Sequence, residues 1–403
     1  MKIVPLKRIA KVDISNVDKK CKKGEKEVVL CNFVDVYRNW TITNELLPTM
    51  MQATANDNQI KRFSIHKGQV AITKDSETRD DIGVSTYIKD DIENAVLGYH
   101  CALITPDESF LKGEYLNVIL HTKYAQKYFE ANASGSGQRY TLTNDIIEDF
   151  PVPLPDDPRV QEEVGTLCTA LDAKIRNNAT LVNELEKSAR LLYNYWFVQF
   201  DFPDLNGKPY RSAGGKMIWN DELKREIPEG WSVNPISSVA DLYQPKTISE
   251  EELIHDGKYI VYGANGIIGR YGEYNHQSNE VAICCRGASC GHFLMTQPYA
   301  WITGNAMVVT PKNKSVTREY IYYGLSIPLI SKFITGSAQP QITRGNLELM
   351  PIVVPDKKVL DIFDSTAVNI REAIHNLFIE TEQLVSLREF LLPMLMNGQI
   401  KIV

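Results

Sequence analysis

The sequence contains no long hydrophobic run. No apolar segment approaches the ~20 residues that a membrane-spanning helix needs, and the first residues, MKIVPLKRIAKVD, lack the apolar core of a secretion signal. Cysteine is also scarce: there are seven, an odd number, and no Cys-x-x-Cys pair. Scattered thiols are typical of a reducing compartment rather than of a disulfide framework. We therefore expect a cytoplasmic protein without structural disulfides.

A strong excess of one charge is missing as well. The net charge is −6, and the two long segments are nearly neutral: residues 1–150 carry 20 basic and 21 acidic side chains, and residues 203–350 carry 14 of each. Domains that bind nucleic acids are usually basic. If this chain binds DNA, the binding face must therefore be a local patch in each long segment.

Catalytic motifs are absent too. A methyltransferase needs a Gly-x-Gly loop and an Asn/Asp-Pro-Pro-aromatic motif, and the nearest approach, NPIS (234–237), lacks the second proline. The segment GANGIIG (263–269) has no Lys-Ser/Thr after it, so we expect a turn between two strands rather than a phosphate loop. No histidine is placed for nucleophilic catalysis. We expect no catalytic residue and no enzyme activity in this chain alone.

One group of thiols requires a choice between a metal site and ordinary packing. Cys284, Cys285, Cys290 and His292 lie in VAICCRGASCGHF. They lack the ligand spacing of a zinc site, and adjacent residues of a strand point to opposite faces. We interpret them as strand and turn residues and expect no metal.

The most informative feature is an internal repeat. Residues 135–155, GSGQRYTLTNDIIEDFPVPLP, resemble residues 336–355, GSAQPQITRGNLELMPIVVP. Weaker similarity extends upstream, for example between KGQVAIT (67–73) and SNEVAIC (278–284), and between HCALITPDES (100–109) and NAMVVTPKNKS (305–315). Repeats of this kind indicate two copies of one structural unit.

Each copy ends in a long helical pattern with apolar or small residues every 3.5 positions on average, which is typical of a coiled coil. Each Pro-x-x-x-Pro element is expected to stop the chain before its helix. Asn178 lies on the first seam: it is either a buried residue that fixes register or a solvent-facing one. The first seam comprises Val164, Cys168, Leu171, Ile175, Asn178, Val182, Leu185, Ala189, Leu192 and Trp196. The second comprises Leu360, Phe363, Ala367, Ile370, Ile374, Leu377, Thr381, Leu384, Leu387, Leu391 and Leu395.

The predicted fold class is therefore α/β (α+β). Two globular domains, rich in short β-branched runs, are joined by two long helices that form an antiparallel coiled coil, with a pseudo-two-fold internal repeat. A seam of 33 residues spans about 50 Å, which suits two heads that read separate DNA half-sites about one helical turn or more apart. The predicted boundaries are 1–154 for the first globular domain, 155–200 for the first helix, 201–230 for a connector, 231–354 for the second globular domain and 355–403 for the second helix.

These motifs resemble the specificity subunits of type I restriction–modification systems. The repeated GSGQ and GSAQ segments carry the resemblance, together with KSARLLYNYWFVQFDFP (187–203), KPYRSAGGKMIWNDELKREIPEGW (208–231) and LREFLLPMLMNGQI (387–400). The resemblance implies that each globular domain is a target-recognition domain and that the chain recognises a bipartite, asymmetric DNA sequence. It also implies partners: two adenine-N6 methyltransferase subunits bound by the helices, and a translocating restriction subunit. S-adenosylmethionine, ATP and Mg²⁺ are then expected on the partner subunits, with no cofactor on this chain.

Candidate contacts with DNA were chosen by residue type. Four lysines in KKCKKGEK (19–26) are suited to phosphates, although the run is equally consistent with a solvated loop. Arg and Asn are the usual readers of guanine and adenine edges, and they occur with Gln, Tyr and Ser in the Gly-rich loops and at the start of each repeated segment. The full candidate set is Lys19, Lys20, Lys22, Lys23, Gln138, Arg139, Asn265, Arg270, Tyr271, Arg286, Ser289 and Gln339.

Two apolar clusters are candidates for partner binding. The helix end LLYNYWFVQF has more aromatic residues than one seam can use, so they either pack against the adjacent globular domain or dock a partner. The end of the second helix is a similar case. The candidate partner-binding residues are Tyr193, Trp196, Phe197, Leu391 and Met394. A second function also fits the pattern: a non-enzymatic adaptor whose two heads bind proteins and whose helices set their distance.

Overall fold

The computed structural model describes residues 2–135, 137, 139–263, 265–336 and 339–396. Its first half consists of short strands and helices followed by one long helix. The strands are β1 (Lys2–Pro5), β2 (Ala10–Ile14), β3 (Lys26–Cys31), β4 (Thr41–Ile42), β5 (Met51–Ala55), β6 (Val70–Thr73), β7 (Asp75–Ser76), β8 (Ser85–Ile88), β9 (Ala95–Leu97), β10 (Cys101–Pro106), β11 (Ser134–Gly135), β12 (Tyr140–Thr141) and β13 (Pro151–Leu154). The helices are α1 (Phe33–Arg38), α2 (Asp57–Phe63), α3 (Gly113–Leu120), α4 (Lys123–Asn132), α5 (Asn144–Glu148) and the long α6 (Arg159–Tyr193).

The second half repeats this order after a connector that contains a hairpin, β14–β15. Its strands are β14 (Met217–Asn220), β15 (Arg225–Pro228), β16 (Ser232–Pro235), β17 (Ala240–Tyr243), β18 (Tyr259–Gly263), β19 (Gly266–Tyr271), β20 (Val281–Cys284), β21 (Phe293–Met295), β22 (Trp301–Ile302), β23 (Ala306–Pro311) and β24 (Pro351–Val354). Its helices are α7 (Arg318–Gly324), α8 (Ile327–Ile330), α9 (Arg344–Leu347) and the long α10 (Lys357–Met396). We call β1–β13 with α1–α5 head 1, and β16–β24 with α7–α9 head 2.

The chain forms two compact units, and both long helices are divided between them. Unit 1 comprises the described residues up to Asn178 and those from Glu380 onward, and unit 2 comprises Ala179–Ile379. Each unit therefore contains one head, one half of α6 and one half of α10. The predicted domain boundaries, which assign each helix to a segment of its own, stay a prediction. Across the described residues, no helix is both long enough and apolar enough to span a bilayer.

Head 1 is built on a five-stranded sheet in the order β2-β10-β6-β8-β4. The central strands are buried throughout, as in VAIT (70–73) and STYI (85–88), which explains their continuous apolar and β-branched sequence. A second sheet has the order β5-β3-β9. The core beneath the first sheet includes Phe129 and Phe150, whose rings stack 5.2 Å apart.

Head 2 keeps the same central arrangement, with β17-β23-β20-β21 in one sheet and β19-β18-β22 in another. Its core extends into the helices, because Phe197 of the first helix region lies 4.8 Å from the Tyr320 ring and 5.0 Å from the Phe363 ring. A π-helical turn, Asn194–Val198, ends the first long helix. This turn changes the helical phase, so that Trp196 and Phe197 are both buried although they are adjacent.

The same contacts close both heads. β1 pairs antiparallel with β13 in unit 1, and β16 pairs antiparallel with β24 in unit 2. The Tyr115 hydroxyl donates to the Pro153 carbonyl (3.0 Å), and the Tyr320 hydroxyl donates to the Val353 carbonyl (2.7 Å). The internal repeat is thus confirmed in three dimensions. The structure also refines the interpretation of the Pro-x-x-x-Pro elements, because each forms the last strand of its head. Their prolines lie in two-stranded pairings outside the central sheet.

In each unit α6 and α10 run antiparallel, as predicted. In unit 1, Val164 shares a core cluster with Leu392, whereas the later Asn178 donates to Glu380 Oε2 (2.8 Å) and Thr381 Oγ1 (3.3 Å). Asn178 has no exposed surface, so the buried interpretation of this seam residue is correct. In unit 2, Glu186 of α6 bonds Arg371 of α10.

The two predicted seams face inward with one exception. The described side chains of the first seam are buried or partly buried, and the second seam follows the same pattern up to Leu384. Leu387 is different, because 44% of its surface is exposed. The next residue, Arg388, takes the inner position instead: its guanidinium lies 4.4 Å over the Trp40 ring of head 1. The side chain of Leu395 lies outside the described residues.

A buried ionic cluster joins helix α10 to head 2. Arg371 contacts Glu186 Oε1 (2.6 Å) and Glu319 Oε2 (3.3 Å), and the Tyr323 hydroxyl donates to Glu186 Oε2 (3.1 Å). Burial raises the pKa of Glu319, although the Arg371 charge opposes the rise. The Arg371 side chain is 14% exposed and that of Glu319 is 4% exposed, so both charges are largely shielded from bulk water.

We predict that Arg371→Met destabilises the protein by about 3–5 kcal/mol, because it leaves the buried Glu319 carboxylate without a cationic partner. The double variant Arg371→Met/Glu319→Gln should recover a large part of the loss. Chemical denaturation measures both, with Lys187→Met as the control, since the Lys187–Glu184 pair is exposed and should contribute less than ~0.5 kcal/mol. Equal effects of the Arg371 and Lys187 variants would contradict this account.

Candidate nucleic-acid interface

The repeated GSGQ segment of head 1 returns to the end of a central strand. The Leu142 amide donates to the Lys74 carbonyl (2.7 Å), and the Lys74 amide donates to the His100 carbonyl (2.9 Å). Three segments therefore meet at one place just beyond β6. We call this place edge 1; it comprises residues 74–76, 98–100 and 139–142.

The repeated GSAQ segment of head 2 makes the same connections. The Ile342 amide donates to the Cys285 carbonyl (2.9 Å), and the Cys285 amide donates to the Asn305 carbonyl (3.2 Å). We call this place edge 2; it comprises residues 285–287, 303–305 and 339–342. The backbone framework is thus common to both heads, and the side chains that it presents can be compared position by position.

Edge 1 is organised around a buried carboxylate. Asp75 accepts hydrogen bonds from Lys74 Nζ (2.8 Å), Thr141 Oγ1 (2.7 Å) and Arg139 Nη2 (3.0 Å), and it contacts His100 Nδ1 at 2.8 Å. Burial alone would raise the pKa of Asp75, but the hydrogen bonds from Lys74, His100 and Thr141 prevail and lower the pKa to about 2. Asp75 is therefore a permanent anion that holds cationic and polar side chains in place.

Several side chains around this anion reach solvent. The Arg139 side chain is 56% exposed, whereas that of Asp75 is 8% exposed. The guanidinium of Arg79 lies 5.1 Å over the Tyr140 ring, and the half-exposed Tyr99 packs against the His100 ring at 3.7 Å. Exposed arginines beside aromatic rings can bind phosphates, stack on bases and donate to base edges.

Edge 2 presents different chemistry on the same backbone. Arg286 stands where head 1 has Asp75, and it is exposed. Asn305 stands where head 1 has His100, and Gln341 stands where it has Thr141; both are exposed. Within the described part of the chain, no carboxylate pairs with Arg286. Its guanidinium and the two amide side chains are free to donate and accept at base edges.

The predicted candidates in the hairpin of head 2 lie beside this edge. β18 ends at Gly263 and β19 begins at Gly266, so the turn between the two strands falls within GANGIIG, as expected. Asn265 is exposed at the tip, Arg270 Nη1 lies 3.5 Å from the Gly257 carbonyl, and the Tyr271 ring packs on Trp301 at 5.3 Å. The Thr303 amide of edge 2 donates to the Tyr262 carbonyl of β18 (3.0 Å). The hairpin and edge 2 are therefore attached to each other.

The other candidates lie elsewhere or contribute less surface. Gln339 belongs to edge 2 and is exposed, whereas Ser289 is half-buried in the turn, where its carbonyl accepts from the His292 amide (2.9 Å). Gln138 lies outside the described residues. The four lysines are exposed in the loop before β3, where the Lys22 amide donates to Thr54 Oγ1 (2.8 Å) of the second sheet. These are Lys19, Lys20, Lys22 and Lys23.

The thiol group of head 2 is built into the strand and its turn. Cys284 and Cys285 are buried, and Cys290 is partly buried. Burial raises the pKa of Cys285 to about 11, which opposes formation of the thiolate that binds metals. The described residues contain no group of three or more His, Cys, Asp and Glu side chains arranged around a common point.

The aromatic helix end is mostly enclosed. Tyr193, Trp196 and Phe197 are buried in the core of unit 2, so the structure favours the packing interpretation for these three. The exposed residues of the same helix end are Leu191 (68%), Tyr195 (40%) and Val198 (45%). Near the end of α10, Leu391 and Met394 are partly buried, and Phe390, directly before Leu391, is 61% exposed.

Comparison with known families agrees with this geometry. The family described as type I restriction modification DNA specificity domain matches residues 2–187 and 228–377. The chain belongs to this family. The resemblance predicted from the repeated segments is confirmed, and both matched ranges contain one complete head with its edge.

Individual relatives have low sequence identity to this chain but match it over long stretches. The chain is 22% identical to the type I restriction enzyme HindI specificity subunit of Haemophilus influenzae, over 84% of this chain and 87% of the relative. It is 23% identical to the MjaIX specificity subunit of Methanocaldococcus jannaschii, over 72% and 69%. The solved S subunit of a type I restriction–modification system from M. genitalium superposes with a TM-score of 0.57 at 14% identity, covering 98% of this chain and 95% of that chain. This likeness supports the fold.

Of the residues at the two edges, the sequence predictions include Arg139, Arg286 and Gln339, but they do not include Asp75, His100 and Asn305. The internal repeat contains a signal for these residues. VAIT and VAIC are similar, and so are the segments that begin at His100 and Asn305. The residue two positions after each strand is Asp75 in head 1 and Arg286 in head 2. Aligning the repeat one or two residues further would have predicted both edges.

We predict that Asp75→Asn reduces the thermal stability of the protein at neutral pH and that the difference becomes smaller in acid. The pKa of Asp75 in the folded protein, about 2, lies below its ordinary value of 3.8, so its stabilisation is present above pH ~4 and is lost as the pH falls towards 2. Thermal unfolding of both proteins between pH 7 and pH 2.5 measures this. A difference that stays constant over this range would contradict the assigned role of the carboxylate.

Proposed function

We propose that this chain is the DNA-specificity subunit of a type I restriction–modification complex and that it reads a split, asymmetric DNA sequence, one half with each head. The observation that carries the proposal is the pair of edges. Both heads use one backbone framework, but Asp75, His100 and Thr141 in head 1 are replaced by Arg286, Asn305 and Gln341 in head 2. Equal frameworks with unequal polar side chains are what two readers of different base sequences require.

Membership of the specificity family favours this function over a protein-binding adaptor. The near-neutral charge of the heads is compatible with an adaptor, but total charge does not describe the edges. At edge 1 the acidic group is buried beneath Arg139, and at edge 2 Arg286 has no acidic partner among the described residues. A local patch of this kind is sufficient for contacts with phosphates and bases.

We further propose that the long helices hold two copies of a DNA-adenine methyltransferase subunit. Leu191 and Tyr195 of the first helix region correspond in the repeat, 199 positions later, to Phe390 and Met394 of α10. Leu191 is 68% exposed and Phe390 is 61% exposed. Large apolar side chains exposed at equivalent positions suggest that the same kind of partner docks twice. S-adenosylmethionine would then belong to these partners, and ATP and Mg²⁺ to an associated restriction subunit.

The main test is the map of methylated adenines in cells that co-express the chain with its modification subunit. We expect one bipartite, asymmetric motif. Exchanging residues 1–150 for the corresponding head of a relative should change one half of the motif and leave the other half and the gap unchanged. A contiguous motif, or a change in both halves after the exchange, would contradict the proposal.

The stoichiometry is tested by native mass spectrometry of the assembled complex. Leu191→Asp and Phe390→Asp should each reduce the number of bound modification subunits from two to one, and the double variant should bind none, because a carboxylate on an apolar docking site is costly to bury. Phe110→Asp is the matched control, since Phe110 is 58% exposed but lies in head 1. Two bound subunits in the double variant would exclude these docking sites.

A further inference from the structure

We propose that head 1 reads a guanine through Arg139 and that Asp75 is the positioning residue that orients Arg139 for this contact. The inference rests on the proposed function, because it names one base contact within the half-site of head 1. It is carried by the geometry of edge 1, in which a solvent-exposed guanidinium is held by a buried and fully bonded carboxylate.

The first step is that Asp75 is fixed. Oδ1 accepts from Thr141 Oγ1, and Oδ2 accepts from Lys74 Nζ and is in contact with His100 Nδ1. Strand β7, which contains Asp75, is paired with β12, which contains Thr141. Asp75 is therefore restrained through both its backbone and its side chain. Its carboxylate offers Arg139 an anchor with a defined direction.

The second step is that Arg139 keeps donors for a ligand. Its Nη2 contacts Asp75 Oδ2 at 3.0 Å and also lies 2.8 Å from His100 Nδ1, and 56% of its side chain is exposed. A guanidinium has five N–H donors in a rigid plane. The bond to Asp75 uses one Nη2 hydrogen and orients the plane. Because the His100 Nδ1–H donates to Asp75, the second Nη2 hydrogen remains beside an Nη1 hydrogen on one edge of the guanidinium. Two N–H donors of an oriented guanidinium match O6 and N7 of guanine in the major groove.

The third step separates a base from a phosphate. A phosphate is held mainly by net positive charge, which the adjacent Asp75 carboxylate reduces at Arg139. A guanine edge is neutral and is recognised by the direction of two hydrogen bonds, which the same carboxylate improves. Arg79 provides the contrast: its contact is the Tyr140 ring, and no carboxylate pairs with it within the described residues, so it suits a phosphate.

The arrangement belongs to head 1 alone. In head 2 the position of Asp75 is occupied by Arg286, and that of Thr141 by Gln341. Edge 2 therefore has no carboxylate at the position that orients Arg139 in head 1. The two heads should consequently differ in this base contact, and the guanine should occur at one defined position of one half-site.

The first experiment maps methylated adenines for complexes that contain wild-type, Arg139→Gln, Asp75→Asn or Arg79→Gln chains. The half-site of head 1 is identified beforehand by exchange of residues 1–150. We expect an invariant guanine in that half. Arg139→Gln should abolish discrimination at this position only, Asp75→Asn should relax the same position to a smaller extent, and Arg79→Gln should lower methylation at all sites without changing the motif.

The second experiment measures equilibrium binding of the assembled complex to duplexes that carry a modified base at this guanine. 7-Deazaguanine, which lacks N7, should weaken binding of the wild-type complex roughly fivefold or more. Inosine, which keeps O6 and N7, should change binding less than about twofold. The Arg139→Gln complex should bind the guanine and 7-deazaguanine duplexes equally, which a purely structural role of Arg139 would not produce.

The outcomes separate this inference from the proposed function. A bipartite motif without an invariant guanine in the half-site of head 1 would overturn the inference and leave the proposed function standing. The inference is also wrong if Arg139→Gln lowers methylation uniformly, as expected for a phosphate contact, or if 7-deazaguanine has no effect on the wild-type complex. Absence of any bipartite motif would instead contradict the proposed function.

Discussion

The antiparallel pairing of the first and last strands of each head is the constraint on which the rest of the structure depends. β1 with β13, and β16 with β24, bring the entry and the exit of each head to one place. In each head a tyrosine hydroxyl from a helix donates to a carbonyl of the exit strand and stabilises the pair: Tyr115 in head 1 and Tyr320 in head 2. Because the exit strand leads directly into a long helix, this closure also fixes where each helix begins. The prolines that bound these exit strands limit them to two-stranded pairings, so that each head ends cleanly and its central sheet is not extended.

The same closure separates the framework of each head from its variable surface. The edges are held by amide–carbonyl bonds, such as Leu142 to Lys74 and Ile342 to Cys285. Such bonds depend on the backbone and not on the side chain, so the residues that point outward can be replaced without loss of the fold. Asp75 and Arg286 occupy one framework position with opposite charge, which shows how far this freedom extends. A protein that must acquire new recognition specificities benefits from a surface of this kind, because the backbone bonds of the framework do not depend on which side chains it presents.

Much of the fold could be predicted from the sequence because its signals are local. The 3.5-residue spacing predicted both helices and nearly all of their buried faces, and the repeat predicted two similar heads. The exceptions have physical causes that periodicity does not contain. Leu387 is exposed because Arg388 packs on Trp40, a contact between distant parts of the chain, and Trp196 and Phe197 are both buried because a π-helical turn changes the phase of the helix. Edge 1 was not predicted for the same reason, because Asp75 contacts Arg139 only after β7 pairs with β12.

Edge 1 also explains why a nearly neutral head is compatible with a DNA-binding function. Asp75 counts as one negative charge in the sequence, yet in the structure it lies beneath Lys74, His100 and Arg139 and meets little solvent. Its charge is used to orient cations, so Asp75 adds little negative charge to the surface although it counts fully in the total charge of the head. Arg371 shows the reverse case. Its positive charge is paired with Glu186 and Glu319 inside unit 2 and contributes little to the surface. Net charge therefore measures composition, whereas recognition depends on which charges the fold leaves exposed.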